Sequence, residues 1–387
     1  MTDTAPPGPL AGIRVVEMTH MIMGPCCGLF LAFLGAEVIK VEPPGGDKTR
    51  QLTGMGAGFF PTFNRGKKSV VIDLKSPAGM AQLNALLATA DVFVDNFRDE
   101  TLAKMQLDPA TLRAKYPSLI TASCKGFLSG PYEKRAAMDE VVQMMTGMAY
   151  MTGPPGRPLR IGSSANDIMG GLFGAYSVIA ALYARGKTGV GAEVRAGLFE
   201  NCLLLVSQHM VQYAIEGVEA PPMPERAFSW SVYDLFTTRD ERQIFLGAAT
   251  DGQWSKLCHV LDLAYLLSDP ELQTRMQQID GRDRTIPLIA EKVGSRDFDE
   301  LVATFEANDL LFSPVARPVE MYGDPHVNRP GGLVSSRYPD GQDFTAPGMP
   351  IEINGSNPMG ATADLPALGE HTAEIFAELG MSQEVAQ

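Results

Sequence analysis

The chain has 387 residues, 45% of them apolar, with 39 Gly and 28 Pro, an ordinary globular composition that fits one large domain plus a smaller one. A net charge of −13 and a pI near 4.9 argue against nucleic acid or an anionic membrane as partner. The longest uncharged runs, residues 20–36 and 168–184, fall short of a membrane span and read as buried helices, and residues 1–9 show no signal-peptide pattern, so a cytoplasmic protein is expected.

Residues 13–17 predict a short apolar strand, 25–35 an apolar helix ended by glycine, and 37–42 a second strand with the alternation Val-Ile-Lys-Val. Residues 69–74 predict the next strand. Ser76-Pro77 then supplies an N-cap and a first helical residue for a helix to about residue 90. Residues 91–96 return as a strand, Asp108-Pro109 opens another helix, and 119–123 forms a further strand. Strands alternating with helices imply a mostly parallel, doubly wound sheet. Residues 139–150, 167–185 and 198–215 read as helices, with a strand at 192–194. The run Ala220-Pro221-Pro222-Met223-Pro224 reads as a linker. Beyond it, residues 231–236 and 243–248 predict a hairpin, followed by a helical region to about residue 308. A large domain is therefore expected over 1–219, completed by 313–387, with a small domain over 220–312.

Between Lys40 and Lys75 lie seven Lys and Arg against three acidic residues, which is either a solvated face or a site for a phosphorylated small ligand. The five cysteines and five histidines have no metal-ligand spacing, so no metal is expected. Gly54-Met55-Gly56-Ala57-Gly58 lacks the dinucleotide spacing, and no Walker lysine or Gly-x-Ser-x-Gly elbow is present.

One acidic residue stands out. Asp167 precedes the uncharged run 168–184 and is followed by Gly170 and Gly171. A lone carboxylate there is either the helix N-cap or a reagent. In the second case the glycines admit a ligand, free N–H groups stabilise an oxyanion, and the positive helix end keeps the carboxylate ionised. Spacing alone leaves both open.

A longer pattern runs through the chain: Pro9-Leu10-Ala11-Gly12, Glu17-Met18-Thr19-His20, Gly24-Pro25, Leu34-Gly35-Ala36-Glu37-Val38-Ile39-Lys40-Val41-Glu42-Pro43, Asn64-Arg65-Gly66-Lys67, Asp95-Asn96-Phe97-Arg98, Asp167, Thr188-Gly189-Val190-Gly191 and Leu368-Gly369-Glu370-His371. In this order it resembles the family III CoA-transferases, which include formyl-CoA:oxalate and carnitine CoA-transferases and the α-methylacyl-CoA racemases. The resemblance implies an interlocked homodimer of α/β chains, each with a Rossmann-like parallel-sheet large domain and a small α+β domain. It implies Asp167 as nucleophile, a role compatible with capping. It also implies CoA or acyl-CoA as substrate rather than any permanently bound cofactor, with a carboxylic acid as partner substrate.

For CoA, the resemblance points to Ile22 and Met23, to Ile72, Asp73, Leu74 and Lys75, to Asn96, Phe97 and Arg98, to Lys104, and to Arg135, Ala136, Ala137 and Met138. Lys75, Arg98 and Lys104 are the cations expected at phosphates. Racemases carry histidine at the position of Met138. A thioether cannot exchange a proton, so acyl transfer is expected rather than racemisation. The Asp167 carboxylate would form a mixed anhydride with the acyl group and then an aspartyl-CoA thioester. Ile22 stands where formyl-CoA transferases have glutamine, and residues 246–252 lack their run of glycines, both of which count against the formyl-CoA:oxalate pair. Met21, Met23, Met138, Met144 and Met145 are either core filler or the wall for a branched or four- to five-carbon acyl chain. The reading is an acyl-CoA:carboxylate CoA-transferase for short mono- or dicarboxylic acids. Its rivals are a racemase, an intramolecular CoA-transferase, and a CoA-binding protein without catalysis.

Overall fold

The structure is a computed structural model and describes residues 8–226, 228–358 and 362–381; the reading of residues 1–9 falls almost wholly outside them. The chain divides into two units, Met1–Pro224 with Pro325–Gln387, and Glu225–Asp324.

In the larger unit six strands form one parallel sheet: β1 Arg14–Met18, β2 Glu37–Glu42, β3 Lys68–Val71, β4 Val92–Asp95, β5 Ile120–Lys125 and β6 Glu193–Gly197, in the order β3-β2-β1-β4-β5-β6. Val15, Val16, Val92, Phe93 and Val94 are fully buried, as expected of central strands covered on both faces. The α-helices of its first segment are α1 Met23–Phe33, α2 Phe59–Phe63, α3 Pro77–Leu87, α4 Asp99–Lys104, α5 Pro109–Lys115, α6 Asp139–Met145, α7 Met148–Thr152, α8 Ala165–Thr188 and α9 Leu198–Glu216, and a further helix, Thr372–Glu378, follows in its second. Both predicted caps form. Ser76 Oγ accepts from Gly79 N at 2.9 Å, and Asp108 Oδ1 accepts from Thr111 N at 3.0 Å. The single helix expected over 139–150 is two, because Gly147 at φ +85° turns the chain between α6 and α7.

The helices α1 and α8 cross closely on one face of the sheet. A Cβ at Gly171 would lie 2.7 Å from both Cys26 Cβ and Met23 O, and one at Gly170 would lie 2.8 Å from the Met23 methyl. At Gly171 only glycine fits, since Met23 O and Cys27 N are backbone, whereas at Gly170 the close neighbour is the flexible end of the Met23 side chain. By length and composition α8, at 24 residues, is long enough to cross a bilayer. The uncharged run itself is as short as expected, and the helix gains its length by continuing past it through Arg185 and Lys187; the expectation of a buried helix is corrected, since Leu172, Tyr176 and Tyr183 are exposed.

The basic stretch is also corrected. Lys40, Arg65 and Lys67 are buried. Lys67 Nζ lies 2.7 Å from Glu17 Oε2, and Lys40 Nζ lies 3.4 Å from Glu17 Oε1 and 3.0 Å from Asp47 Oδ2. Arg50 pairs with Glu42, and Lys68 with Glu37 and Glu374. Lys40, Arg65 and Lys67 serve the interior rather than a solvated face or a ligand, while Lys48 and Lys75 are exposed.

The smaller unit is α+β. Its antiparallel sheet has the order β7-β8-β9, formed by β7 Val232–Thr237, β8 Gln243–Ala248 and β9 Leu311–Pro314, and it packs with α10 Asp251–Val260, α11 Arg275–Asp280, α12 Arg282–Gly294 and α13 Phe298–Ala307. Trp254, Ile289, Val293 and Phe305 fill its core. The unit closes at Asp324 rather than 312, and opens at Glu225 rather than 220. The reason for the later exit is β9, whose Leu311 and Phe312 pair with Gly247 and Leu246 of β8 and hold the chain in this sheet.

Candidate active site

In an open parallel sheet the ligand crevice lies at the carboxyl ends of the strands, where the strand order reverses. Here that point falls between β1 and β4. The loop after β1 is tied to the loop after β4: Asn96 Nδ2 donates to His20 O at 2.7 Å, and His20 N donates to Asn96 Oδ1 at 3.1 Å. Met21, next in the chain, sits at φ +63°, a left-handed conformation uncommon for methionine. That turn starts α1 with Ile22 as its N-cap.

A cavity of about 490 Å³ opens beside this clamp, lined by His20, Asn96, Phe97, Arg98, Lys134, Arg135, Ala136 and Ala137 among others. Lys125 and Arg195 also line it but are committed, with Lys125 Nζ 2.6 Å from Asp99 Oδ1 and Arg195 Nη1 3.4 Å from Asp99 Oδ2. Arg98 and Arg135 have no carboxylate within ion-pair distance among the described residues, and Arg135 lies over the Tyr132 ring at 4.9 Å. Two cations with free forks face a site of a size fit for a phosphorylated ligand.

The structure thus gathers Asn96, Phe97, Arg98, Arg135, Ala136 and Ala137 at one cavity. Leu74 and Lys104 line a different depression of about 300 Å³. Asp73 and Lys75 are exposed in the turn before α3, where Asp73 Oδ1 accepts from Lys75 N. Ile22, Met23 and Ile72 place their side chains in the hydrophobic core, so only their backbone is available to a ligand. Met138 is 62% exposed as the N-cap of α6.

Asp167 is the third residue of α8, not its N-cap. Ser164 holds that position and makes no side-chain cap. Nor do Gly170 and Gly171 form an oxyanion turn. Both lie inside the helix, where N–H groups are directed to carbonyls four residues back. Their role is the close approach of α1.

The half-buried Asp167 carboxylate accepts no hydrogen bond from any described residue, whereas its backbone N–H donates to Asp139 Oδ2 at 3.3 Å. Asp139 is itself held by Gln143 Nε2, and Gln143 Oε1 accepts from Ile161 N at 2.9 Å. On the other side, Asn201 Nδ2 donates to Asn166 O at 2.8 Å, and Asn166 Nδ2 donates to Leu198 O at 3.2 Å, both asparagines being buried. The first turn of α8 is therefore fixed through its backbone while its carboxylate is left free.

Burial pushes the Asp167 carboxyl up to about 7, the Asp139 charge adds to this, and Arg160 pulls the other way. The positive helix end does not keep this group fully ionised, contrary to expectation: loss of solvation and a like charge outweigh it. A carboxylate that is poorly solvated and unbonded is a better nucleophile than one that caps a helix. Asp139, Gln143 and Arg160 escape sequence reasoning: the Asp139 link to Asp167 crosses 28 residues of chain, and no local spacing reports any of the three. Among the described residues no group of His, Cys, Asp and Glu is placed to hold a metal.

The model of CoA-transferase family III matches residues 10–372. The succinate–glutarate CoA-transferase of Agrobacterium fabrum is 32% identical, covering 98% of this chain and 97% of its own length. The human succinyl-CoA:glutarate CoA-transferase is 29% identical, covering 96% of this chain and 86% of its own. A crystal structure of a CAIB/BAIF family protein from Brucella suis superposes with a TM-score of 0.86 at 30% identity, covering 97% of this chain and all of that one.

Proposed function

The chain belongs to CoA-transferase family III, and on that premise we propose that it transfers CoA between short dicarboxylic acids of the succinate and glutarate class by covalent catalysis at Asp167. The observation that carries this reading is the free, poorly solvated Asp167 carboxylate on a backbone-fixed helical turn. A carboxylate oxygen of Asp167 attacks the thioester carbonyl of an acyl-CoA. The carbon–sulfur bond breaks, leaving a mixed anhydride and CoA thiolate. The thiolate attacks Cγ of Asp167, the donor carboxylate departs, and an aspartyl-CoA thioester remains. An incoming carboxylate reverses both steps. Every nucleophile and leaving group is an anion, so no net proton moves and no second acid or base is required. Holding the thiolate in place between steps supplies effective molarities of roughly 10⁵ M or more. The cycle uses CoA and two acids and calls for no resident cofactor.

The racemase rival finds no support at Met138, a thioether at the helix start where that chemistry needs a base. Arg98 and Arg135, with Lys134 beside them, are the groups we assign to the CoA phosphates.

The same reading includes a homodimer. Along α8, Leu172, Tyr176, Ile179 and Tyr183 are exposed at spacings of four, three and four, and Leu204, Val211 and Ile215 are exposed along α9. An apolar stripe of this length on a monomer surface calls for a cover, and a second copy supplies it. Sedimentation at twice the 41.7 kDa chain mass is expected, and a single-chain mass would exclude the dimer.

A panel of acceptors against succinyl-CoA and acetyl-CoA tests the function. Glutarate and succinate are expected to be the better acceptors, with CoA appearing on the acceptor and none lost to hydrolysis. In the same assay Arg98→Ala raises KM for acyl-CoA roughly 10-fold with kcat little changed, as loss of uniform binding does. Exchange of the α-proton with no CoA transfer would replace this reading by the racemase.

A further inference from the structure

Arg160 lies on the segment between α7 and α8, and its guanidinium is committed only to its own loop. Nε donates to Ile161 O at 3.2 Å and Nη2 to Ser163 O at 3.0 Å. Among the described residues Nη1 has no partner and no carboxylate lies within ion-pair distance. Arg14, Arg50, Arg185 and Arg195 of the same unit differ, each holding a carboxylate at 2.6 to 3.4 Å. The loop is anchored where the chemistry is: Ile161 N is held by Gln143, whose amide bonds Asp139, and Asp139 accepts from Asp167 N. Arg160 and the reacting carboxylate thus hang from one pair of side chains. Through its bond to Ser163 O, next to the N-cap Ser164, the guanidinium also sits beside the N-terminal end of a 24-residue helix, where an anion is favoured.

In the resting enzyme the nearby Asp167 carboxylate offsets this cation in part. Conversion to the aspartyl-CoA thioester abolishes that negative charge. Arg160 thereby loses that part of its compensation at the moment a free acid must enter. A diacid brings two carboxylates, of which one must attack Cγ of Asp167 and the other needs a partner. A guanidinium fork matches a carboxylate in geometry as well as charge.

We propose that Arg160 binds the distal carboxylate of a dicarboxylic acid while the other carboxylate reacts at Asp167, and that it thereby sets the preference for diacids over monoacids. This rests on the CoA-transfer reading above. The bonds to Ile161 O and Ser163 O fix the direction of the fork, so Arg160 is a specificity residue in contact with substrate rather than a participant in bond making.

The test compares wild type, Arg160→Gln and Arg160→Lys with one acyl-CoA donor held fixed and with glutarate or butyrate as acceptor. For Arg160→Gln the expected result is a loss of roughly 10- to 100-fold in kcat/KM for glutarate, carried by KM, with butyrate changed less than about 3-fold. Arg160→Lys, which keeps the charge but not the fork, is expected to fall between. Direct titration of glutarate gives a second readout that needs no turnover: its Kd rises by a similar factor in Arg160→Gln. Equal losses with both acceptors, or an unchanged glutarate Kd, would overturn the assignment and leave Arg160 as a loop anchor. Absence of CoA transfer by the wild type with any acceptor defeats the underlying function instead, so the two failures are told apart.

Discussion

Asp167→Asn is expected to lower CoA transfer by roughly 10³- to 10⁶-fold while leaving the protein folded, because on the proposed mechanism it replaces the anionic nucleophile with a neutral amide but keeps the shape of the side chain. The Asp167 N–H to Asp139 bond is made by the backbone and survives the substitution. The wild-type pH profile follows from the same group. Attack requires the ionised form, so kcat/KM for acyl-CoA rises with pH through about 7 and levels off above it. Asp139→Asn removes the like charge, and the rising limb then moves to lower pH. Stability runs the other way. The folded protein holds the Asp167 proton up to about 7, whereas the unfolded chain releases it near 3.8. The stabilisation this provides is full below about pH 4 and is lost as pH rises to about 7. Asp167→Asn is expected to flatten that slope in thermal melts, and an identical slope in wild type and variant would contradict the assignment.

Glu17→Ala is expected to be the most damaging single change to the fold, at about 3–5 kcal/mol. Glu17 is fully buried on the central strand β1 and is the shared carboxylate of Lys40 and Lys67, both also fully buried in their side chains. Truncation leaves Lys67 with only Pro25 O at 2.8 Å and Asn64 Oδ1 at 3.2 Å. Burial already holds the Lys67 ammonium down to about 8 against an ordinary 10.5, with Glu17 working to raise it. A lysine depressed in the folded state is neutral there while the unfolded chain still binds its proton, so stability rises with pH between about 8 and 10.5. The variant, lacking the carboxylate, is expected to recover part of its loss on going from pH 7 to pH 9. Chemical denaturation at the two pH values checks this. A loss under 1 kcal/mol at pH 7 would show that the cluster is not the support for α1 that its bonds describe.

The parallel sheet was legible in the sequence because each of its parts is local. Ser76-Pro77 and Asp108-Pro109 announce helix starts by their own chemistry, and buried strands such as 37–42 carry their pattern within six residues. What failed was what depends on contacts distant in the chain. Gly170 and Gly171 read as a ligand turn, yet they are a helix face shaped by Met23 and Cys26, some 145 residues away by number alone. Lys40 and Lys67 read as part of a solvated face or a phosphate site, because nothing local tells that Glu17 lies beside both. The third strand of the small sheet was missed because Leu311–Pro314 is four residues long and ends in proline, a weak strand signal. At the site, the position of Asp167 near the head of an apolar helix was legible, but its freedom from capping was not. That freedom arises from Ser164 taking the cap position and Asp139 taking the backbone N–H.

The measurement that bears most directly on covalent catalysis is a trapping experiment. The wild-type enzyme is incubated with succinyl-CoA without acceptor, treated with hydroxylamine or borohydride, digested and read by mass spectrometry. Modification is expected at Asp167, as the hydroxamate or the reduced alcohol, and absent from Asp167→Asn. An unmodified Asp167 peptide in an enzyme that binds and turns over acyl-CoA would contradict the account.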